Sequence, residues 1–256
     1  MATHRMGRRA EASRAVSVIA PAKLTLSLRI VGRRSDGYHL LDAEMVTVDL
    51  VDELTFSEGH GLEIVNEWGE GVREGQLATE DDNLVRRALQ AVGRRAHVRL
   101  VKRIPVGAGL GGGSADCAAV LRWAGRDDVP LAASLGSDVP FCLRGGRARV
   151  TGVGDELESL PYERWTFTLA RPPFGCATAA VYQAWDELGG PVDPQGRNDL
   201  EPAALLIEPR LASWRDRLEA ATGRPPVLAG SGSSWFVDGA YPGDGRIVVH
   251  TLPPDA

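Results

Sequence analysis

The chain is predicted to be an α+β protein built in two parts. Strand-like and helix-like stretches are mixed along it without the strict alternation that a doubly wound parallel sheet requires. A glycine-dense segment joins a strand to a helix in the first half, and near Leu160-Pro161 the strand and helix pattern restarts. The expected organisation is a disordered tail over 1–15, a first domain over 16–160 carrying the glycine-rich loop, and a second domain over 161–256.

After a tail with no apolar periodicity, Val16 to Val31 reads as a strand. Its middle alternates, with Leu24, Leu26, Leu28 and Ile30 on one face and Lys23, Thr25, Ser27 and Arg29 on the other. A turn centred on Asp36-Gly37 leads to a second strand running from about Tyr38 through Leu50, so the pair is expected to form a hairpin. Leu62 to Val65 is a candidate third strand. Asp81-Asp82-Asn83 opens a helix with Leu84, Val85, Ala88, Leu89 and Val92 at helical spacing. His97 to Ile104 is a strand, and a helix beyond the glycine-rich segment runs through Trp123. Strand-like material recurs around Ala148 to Val150 and at Trp165 to Ala170. Helices are expected around Ala179 to Leu188 and Leu211 to Ala221. The glycine-serine loop Gly230 to Ser234 precedes a strand at Trp235 to Val237, and Arg246 to Leu252 closes the chain as a strand.

Bulk properties exclude several classes. Of 256 residues, 43% are hydrophobic and 25% charged, an ordinary globular mixture. A formal charge of −5 gives no reason to expect nucleic acid as a partner, and the basic cluster Arg5, Arg8, Arg9 and Arg14 reads as a solvated tail. No stretch approaches the roughly 18 apolar residues of a membrane span. The three cysteines, Cys117, Cys142 and Cys176, are widely spaced and odd in number, which suits small core residues in a reducing cytosol.

The strongest chemical signal is the run Pro105-Val106-Gly107-Ala108-Gly109-Leu110-Gly111-Gly112-Gly113-Ser114-Ala115 between a strand and a helix. Glycine removes the side-chain obstacle and permits positive φ, so successive N–H groups can turn toward one anion. The helix beyond adds unpaired N–H groups and the positive end of its dipole. Ser114 is placed to cap that helix or to reach a phosphate or a magnesium ion. A Walker A loop is excluded because Gly-Gly-Ser stands where Gly-Lys-Ser/Thr is needed. A dinucleotide fingerprint is excluded because Asp127 and Asp128 come too early and no suitable second strand precedes them.

At this point the residues resemble a family. "PAKLTLSL", "PVGAGLGGGSAD" and "AGSGSSWF" are similar to the three motifs of the GHMP small-molecule kinases, in the same order. "DGYHLLDAEMVTVDL", "GSDVPFCL", "PPFGCATAAVY" and "RNDLE" narrow the resemblance to the branch acting in non-mevalonate isoprenoid synthesis. The resemblance spans about residues 18 to 237. It implies a ribosomal-protein-like N-terminal α+β domain, a ferredoxin-like C-terminal domain, and a cleft between them where ATP, with Mg2+, meets a cytidine diphosphate-linked methylerythritol whose 2-hydroxyl is phosphorylated.

Carried over position by position, Lys23 and Asp138 match the family's catalytic pair, and Pro105 to Ala115 match its ATP loop. Tyr38 and His39 match its cytosine-binding Tyr-His, and Tyr182 falls where the family places an aromatic on the other side of the base. Tyr38 and Tyr182 are thus expected to sandwich the pyrimidine while His39 reads its polar edge. Thr25, Gly230, Ser231 and Gly232 complete the substrate side, with Ser114 as the magnesium candidate. Asn198 and Asp199 read as structural.

Two departures stand out. Thr25 occupies the place where family members usually carry asparagine, and the stretch from Trp123 to Leu135 is short enough that a whole helix is expected to be missing before Asp138. Such a loss bears on whether Asp138 reaches the phosphate loop, and leaves either a monomer or a homodimer open. The rival readings are another GHMP kinase acting on a different alcohol, and a nucleotide-binding protein that keeps the fold without the reaction.

Overall fold

The computed structural model describes residues 15–67 and 82–254. The tail expected over 1–15 and the residue Asp81 lie, Ala15 apart, outside the described residues.

The chain begins with a long hairpin of β1 (Val16–Arg33) and β2 (His39–Ser57), antiparallel along its length and turned at 34–37. Register shifts between Pro21 and Lys23, Thr25 and Ser27, and Ile30 and Gly32 bend it, so β1 serves two cores. Leu24 and Leu26 join one hydrophobic cluster; Leu28 and Ile30 join another. The hairpin anchors a sheet in which β3 (Gly61–Asn66), β4 (His97–Lys102), β2, β5 (Arg147–Gly152) and β6 (Glu156–Ser159) lie in that order. β3 and β4 are parallel, with α1 (Leu84–Ala91) between them in the chain. Asn83 caps α1, accepting from the Val85 N–H at 2.9 Å, as the capping signal predicts.

Helix α2 (Gly112–Trp123) packs against β1 and buries Cys117 through Leu121 almost completely. Its last residue, Trp123, stacks on Phe56 with ring centroids 4.4 Å apart and an interplanar angle of 6°. The expectation that a helix is missing before Asp138 is overturned. Residues Val129–Leu135 form α3, with Asp128 accepting from the Leu131 N–H at 3.0 Å and Pro130 in the first turn. Seven residues suffice because both ends are specified locally. α4 (Val139–Arg144) follows directly and returns the chain to β5.

The second sheet has the order β10 (Arg246–His250), β7 (Thr166–Ala170), β9 (Trp235–Asp238) and β8 (Val227–Leu228), all neighbours antiparallel. Helices α5 (Thr178–Glu187), α6 (Glu201–Ile207) and α7 (Arg210–Thr222) belong to the same stretch of chain. α6, β6 and β8 carry too few residues to show a periodicity, which is why pattern reading passes over them. Phe167, Leu169 and Phe236 of this sheet enter the same core as α2 and β1, and beyond β10 the Leu252 N–H donates to the Thr47 carbonyl of β2 at 2.9 Å. All three cysteines are buried; burial pushes the Cys117 thiol up to about 12 and Cys176 up to about 11, so neither is a nucleophile near neutral pH. Among the described residues no helix is long and apolar enough to cross a membrane.

Candidate active site

The glycine-rich loop runs from the end of β4 into α2 and is clasped by the glycine-serine loop that joins β8 to β9. The Ser233 N–H donates to the Gly107 carbonyl at 3.0 Å, the Ser234 N–H to the Ala108 carbonyl at 3.1 Å, and the Cys176 N–H also to Gly107 at 2.9 Å. With these carbonyls turned toward their partners and Val106-Gly107 forming a turn, the N–H groups from Gly109 through Ser114 have no recorded protein acceptor among the described residues. A continuous row of free donors leading into a helix N-terminus is an anion cradle.

Two positions require glycine. A Cβ on Gly109, at φ +74°, would lie 1.8 Å from the Ala229 carbonyl oxygen, and one on Gly111, at φ +68°, would lie 2.7 Å from Cγ of Lys23. The same geometry corrects the role of Ser114. The helix cap is Gly111 in the left-handed conformation, and Ser114 sits inside the first turn, its hydroxyl not used as a cap.

Lys23 is only 5% exposed, although its place on the polar face of β1 predicts a solvated side chain. Alternation identifies the face but not what covers it: the loop closes over β1, and the Lys23 N–H donates to the Leu110 carbonyl at 3.1 Å. Nζ donates to Oγ1 of Thr25 at 3.0 Å and stands 3.4 Å from Oδ2 of Asp138. Asp138 occupies the cap position of α4, yet its side chain makes no capping bond, which leaves the carboxylate for Lys23. The short segment before it therefore delivers Asp138 to the site.

Loop, lysine and aspartate line one cavity of about 380 Å³. Tyr182, Thr178, Gly230 and Ser231 border it, as do Asn83, Leu84, Lys102 and Asp116. Behind the cradle, Nζ of Lys102 bonds Asp52 and lies 2.7 Å from Oδ2 of Asp116, all three groups buried. One ammonium thus faces two carboxylates. Desolvation, opposed by Lys102 and reinforced by the charge of Asp52, pushes Asp116 up to about 7. Desolvation alone would lower the Lys102 ammonium, but Asp116 and Asp52 together raise it.

The expected tyrosine sandwich is not what the structure displays. His39 stacks on Tyr182, with centroids 4.9 Å apart at 27°, and meets Trp185 edge-on at 5.5 Å. Tyr38 is 63% exposed, with the Arg34 guanidinium 5.5 Å from its ring centre. Tyr38 lies in the turn just before β2, whereas His39 is the first residue of the strand and the one that meets α5. Burial, aided by the Asp138 charge, raises the Tyr182 phenol, which keeps it neutral.

The second loop is held by Asn198, read from the sequence as structural, and by Thr178, which the sequence reading did not single out. Asn198 Nδ2 donates to the carbonyls of Leu228 at 2.8 Å and Gly230 at 2.7 Å, and the Thr178 and Ser231 hydroxyls are 2.9 Å apart. Asp199 takes hydrogen bonds from Arg29 at 2.8 Å and from the Ile30 N–H at 2.9 Å. The structural reading of Asn198 and Asp199 fits these contacts, and Asn198 acts directly on a loop of the site. Among the described residues no cluster of three or more His, Cys, Asp or Glu side chains is disposed to hold a metal.

Residues 83–146 match the description "GHMP kinases N terminal domain". The chain is 38% identical over 237 residues to 4-diphosphocytidyl-2-C-methyl-D-erythritol kinase of Paracoccus denitrificans, covering 85% of this chain and 84% of that one. It is 35% identical to the enzyme of the same name from Ruegeria pomeroyi, covering 91% of each. A crystal structure of 4-(cytidine 5'-diphospho)-2C-methyl-D-erythritol kinase superposes with a TM-score of 0.69 at 31% identity, covering 92% of this chain and 99% of the other. Homoserine kinase from Cytophaga hutchinsonii, at 18% identity and a TM-score of 0.54, shares the fold.

Proposed function

Because this chain belongs to the 4-diphosphocytidyl-2-C-methyl-D-erythritol kinase family of GHMP kinases, we propose that it moves the γ-phosphoryl group of ATP onto the 2-hydroxyl of that cytidyl substrate. The carrying observation is the pairing of Lys23 with Asp138 at 3.4 Å beside a row of free backbone N–H groups.

In this reading the N–H groups of Gly109 through Ser114 hold the triphosphate. Lys23, fixed by Thr25 and Asp138, presents a positive charge to the transferring group. Such charge is effective because it is placed before the reaction and partly shielded from water. Asp138 aligns the acceptor hydroxyl and takes its proton late. Phosphoryl transfer is loose, with little bonding to the nucleophile, so alignment contributes more than basicity. The Ser114 hydroxyl in the first turn of α2 is a hard oxygen donor that would hold a magnesium ion brought with ATP, and such an ion would neutralise phosphate charge.

The cytosine is assigned to the stacked pair His39 and Tyr182, with the exposed Tyr38 free to cover the base from outside, and Gly230, Ser231, Gly232 and Thr25 lie toward the acceptor end. The proposed domain division near residue 160 is supported by the gap in the chain between β6, of the first sheet, and β7, of the second. The test is ADP release by purified protein with the cytidyl substrate, with the phosphorylated product identified by mass. ATP binding without product would leave only a nucleotide-binding protein of this fold.

A further inference from the structure

His39 is held from behind by a residue that no motif marks. Asp186, in the last turn of α5, places Oδ1 2.8 Å from His39 Nε2, across 147 residues of chain. Its other oxygen lies 3.4 Å from Arg33. The His39 side chain is 10% exposed and clamped by Tyr182 on one side and the edge of Trp185 on another, so the ring has one settled orientation.

An ionised carboxylate accepts hydrogen bonds and donates none, so Nε2 of His39 carries the proton. In the neutral ring that leaves Nδ1 as an acceptor. Among the described residues Nδ1 has no recorded partner. A cytosine presents an exocyclic amino donor on its pairing edge, where uracil presents a carbonyl oxygen. An accepting Nδ1 complements the first and repels the second.

We propose that Asp186 is a positioning residue that sets the tautomer of His39 and thereby the selection of cytosine over uracil. The inference rests on the cytidyl-substrate reading given above. Arg33 draws the Asp186 carboxylate from its other side and steadies the pair.

The test compares wild type, Asp186→Leu and Asp186→Glu on the cytidyl substrate and its uridyl counterpart, at saturating ATP. Asp186→Leu is expected to raise KM for the cytidyl substrate about tenfold, the worth of one hydrogen bond, and to bring the cytidyl-to-uridyl preference toward unity. kcat and KM for ATP should stay within about twofold, which a misfolded protein would not show. Asp186→Glu should restore most of the preference. Long-range ¹H–¹⁵N spectra of the five histidines provide an activity-free readout. His39 should be protonated at Nε2 in wild type and mixed in Asp186→Leu. A preference and tautomer unchanged by Asp186→Leu would overturn the role of Asp186 alone. A wild type that handles acceptors with and without cytosine equally would overturn the cytidyl reading itself, and this inference with it.

Discussion

Lys23 and Asp138 meet across 115 positions of chain, Nζ standing 3.4 Å from Oδ2, one on the opening strand and the other at the start of α4. The lysine side chain is 6% exposed and the aspartate 31%, so the pair joins an enclosed charge to one that faces the cleft. That asymmetry suits a division of labour in which the lysine stays put and the carboxylate meets an incoming hydroxyl. Asp138→Asn keeps the shape and removes the charge. It should lower kcat by about 10²–10⁴ while leaving KM for either substrate nearly unchanged. Steady-state kinetics at saturating ATP decide it, and near-normal turnover would remove Asp138 from the chemistry.

Thr25 fixes the other side of the same ammonium. Its hydroxyl accepts from Lys23 at 3.0 Å in a position 1% exposed, so the shorter side chain here is engaged by the lysine rather than by a distant ligand. Thr25→Val is close to isosteric and removes the hydroxyl that accepts from Lys23. Losing one partner of a buried charged donor costs about 1.5–3 kcal/mol, and the ammonium is then free to wander from its place. We expect kcat to fall about tenfold, since errors near 1 Å in such sites are costly. Thr25→Asn, which retains an acceptor, should lose less. Equal losses in both variants would mean that the hydroxyl is not what positions Lys23.

Gly109 ties the phosphate loop to the glycine-serine loop. A methyl group there would sit 1.8 Å from the Ala229 carbonyl oxygen, on a backbone at φ +74°. Backbone atoms cannot rotate away as a side chain can, so the two loops must part. The left-handed conformation and the overlap together put the cost of Gly109→Ala at about 2–5 kcal/mol. Urea unfolding should show the loss, and ATP affinity should fall with it. Gly93→Ala, also at positive φ but with nothing within 4 Å of its Cβ, is the control for conformational strain alone.

Legibility in the sequence followed the range of the interactions. The hairpin, α1 and the phosphate loop are specified within a few residues each, by alternation, by the Asn83 cap and by glycine density, and all were readable. Lys23 and Asp138 were readable only through resemblance, because a lysine on a strand and an aspartate before a proline have ordinary explanations. The burial of Lys23 was not readable, since its cover comes from Leu110, 87 positions on. Asp186 and the partners of Lys102 are polar residues whose meaning lies in distant contacts, and Asn198 adds two such contacts to its local bond from the Leu200 N–H. The stacking of His39 on Tyr182 joins β2 to α5 in the same way, and two separate motifs that each name one of these residues do not say which ring faces which.

Asp116 carries the clearest pH signature. It shares Lys102 with Asp52, and its Oδ1 is buried without a hydrogen-bond partner among the described residues. Its carboxyl is raised from an ordinary 3.8 to about 7 in the folded chain, chiefly by desolvation. The folded state therefore binds a proton between those values that the unfolded chain has released. Stability from this group is full below about pH 4 and is lost as pH rises through about 7. Asp116→Asn leaves Lys102 and Asp52 as a one-to-one pair and removes that decline. Unfolding free energies from urea titrations at pH 5 and pH 8 should differ more in wild type than in Asp116→Asn, by an amount on the order of a few kcal/mol. At pH 8 the variant should be the more stable protein. Lys102→Met should do the reverse, stranding two buried carboxylates at a cost of about 3–5 kcal/mol. Parallel pH profiles for wild type and Asp116→Asn would mean that the extra negative charge is neutralised by something other than a proton on Asp116.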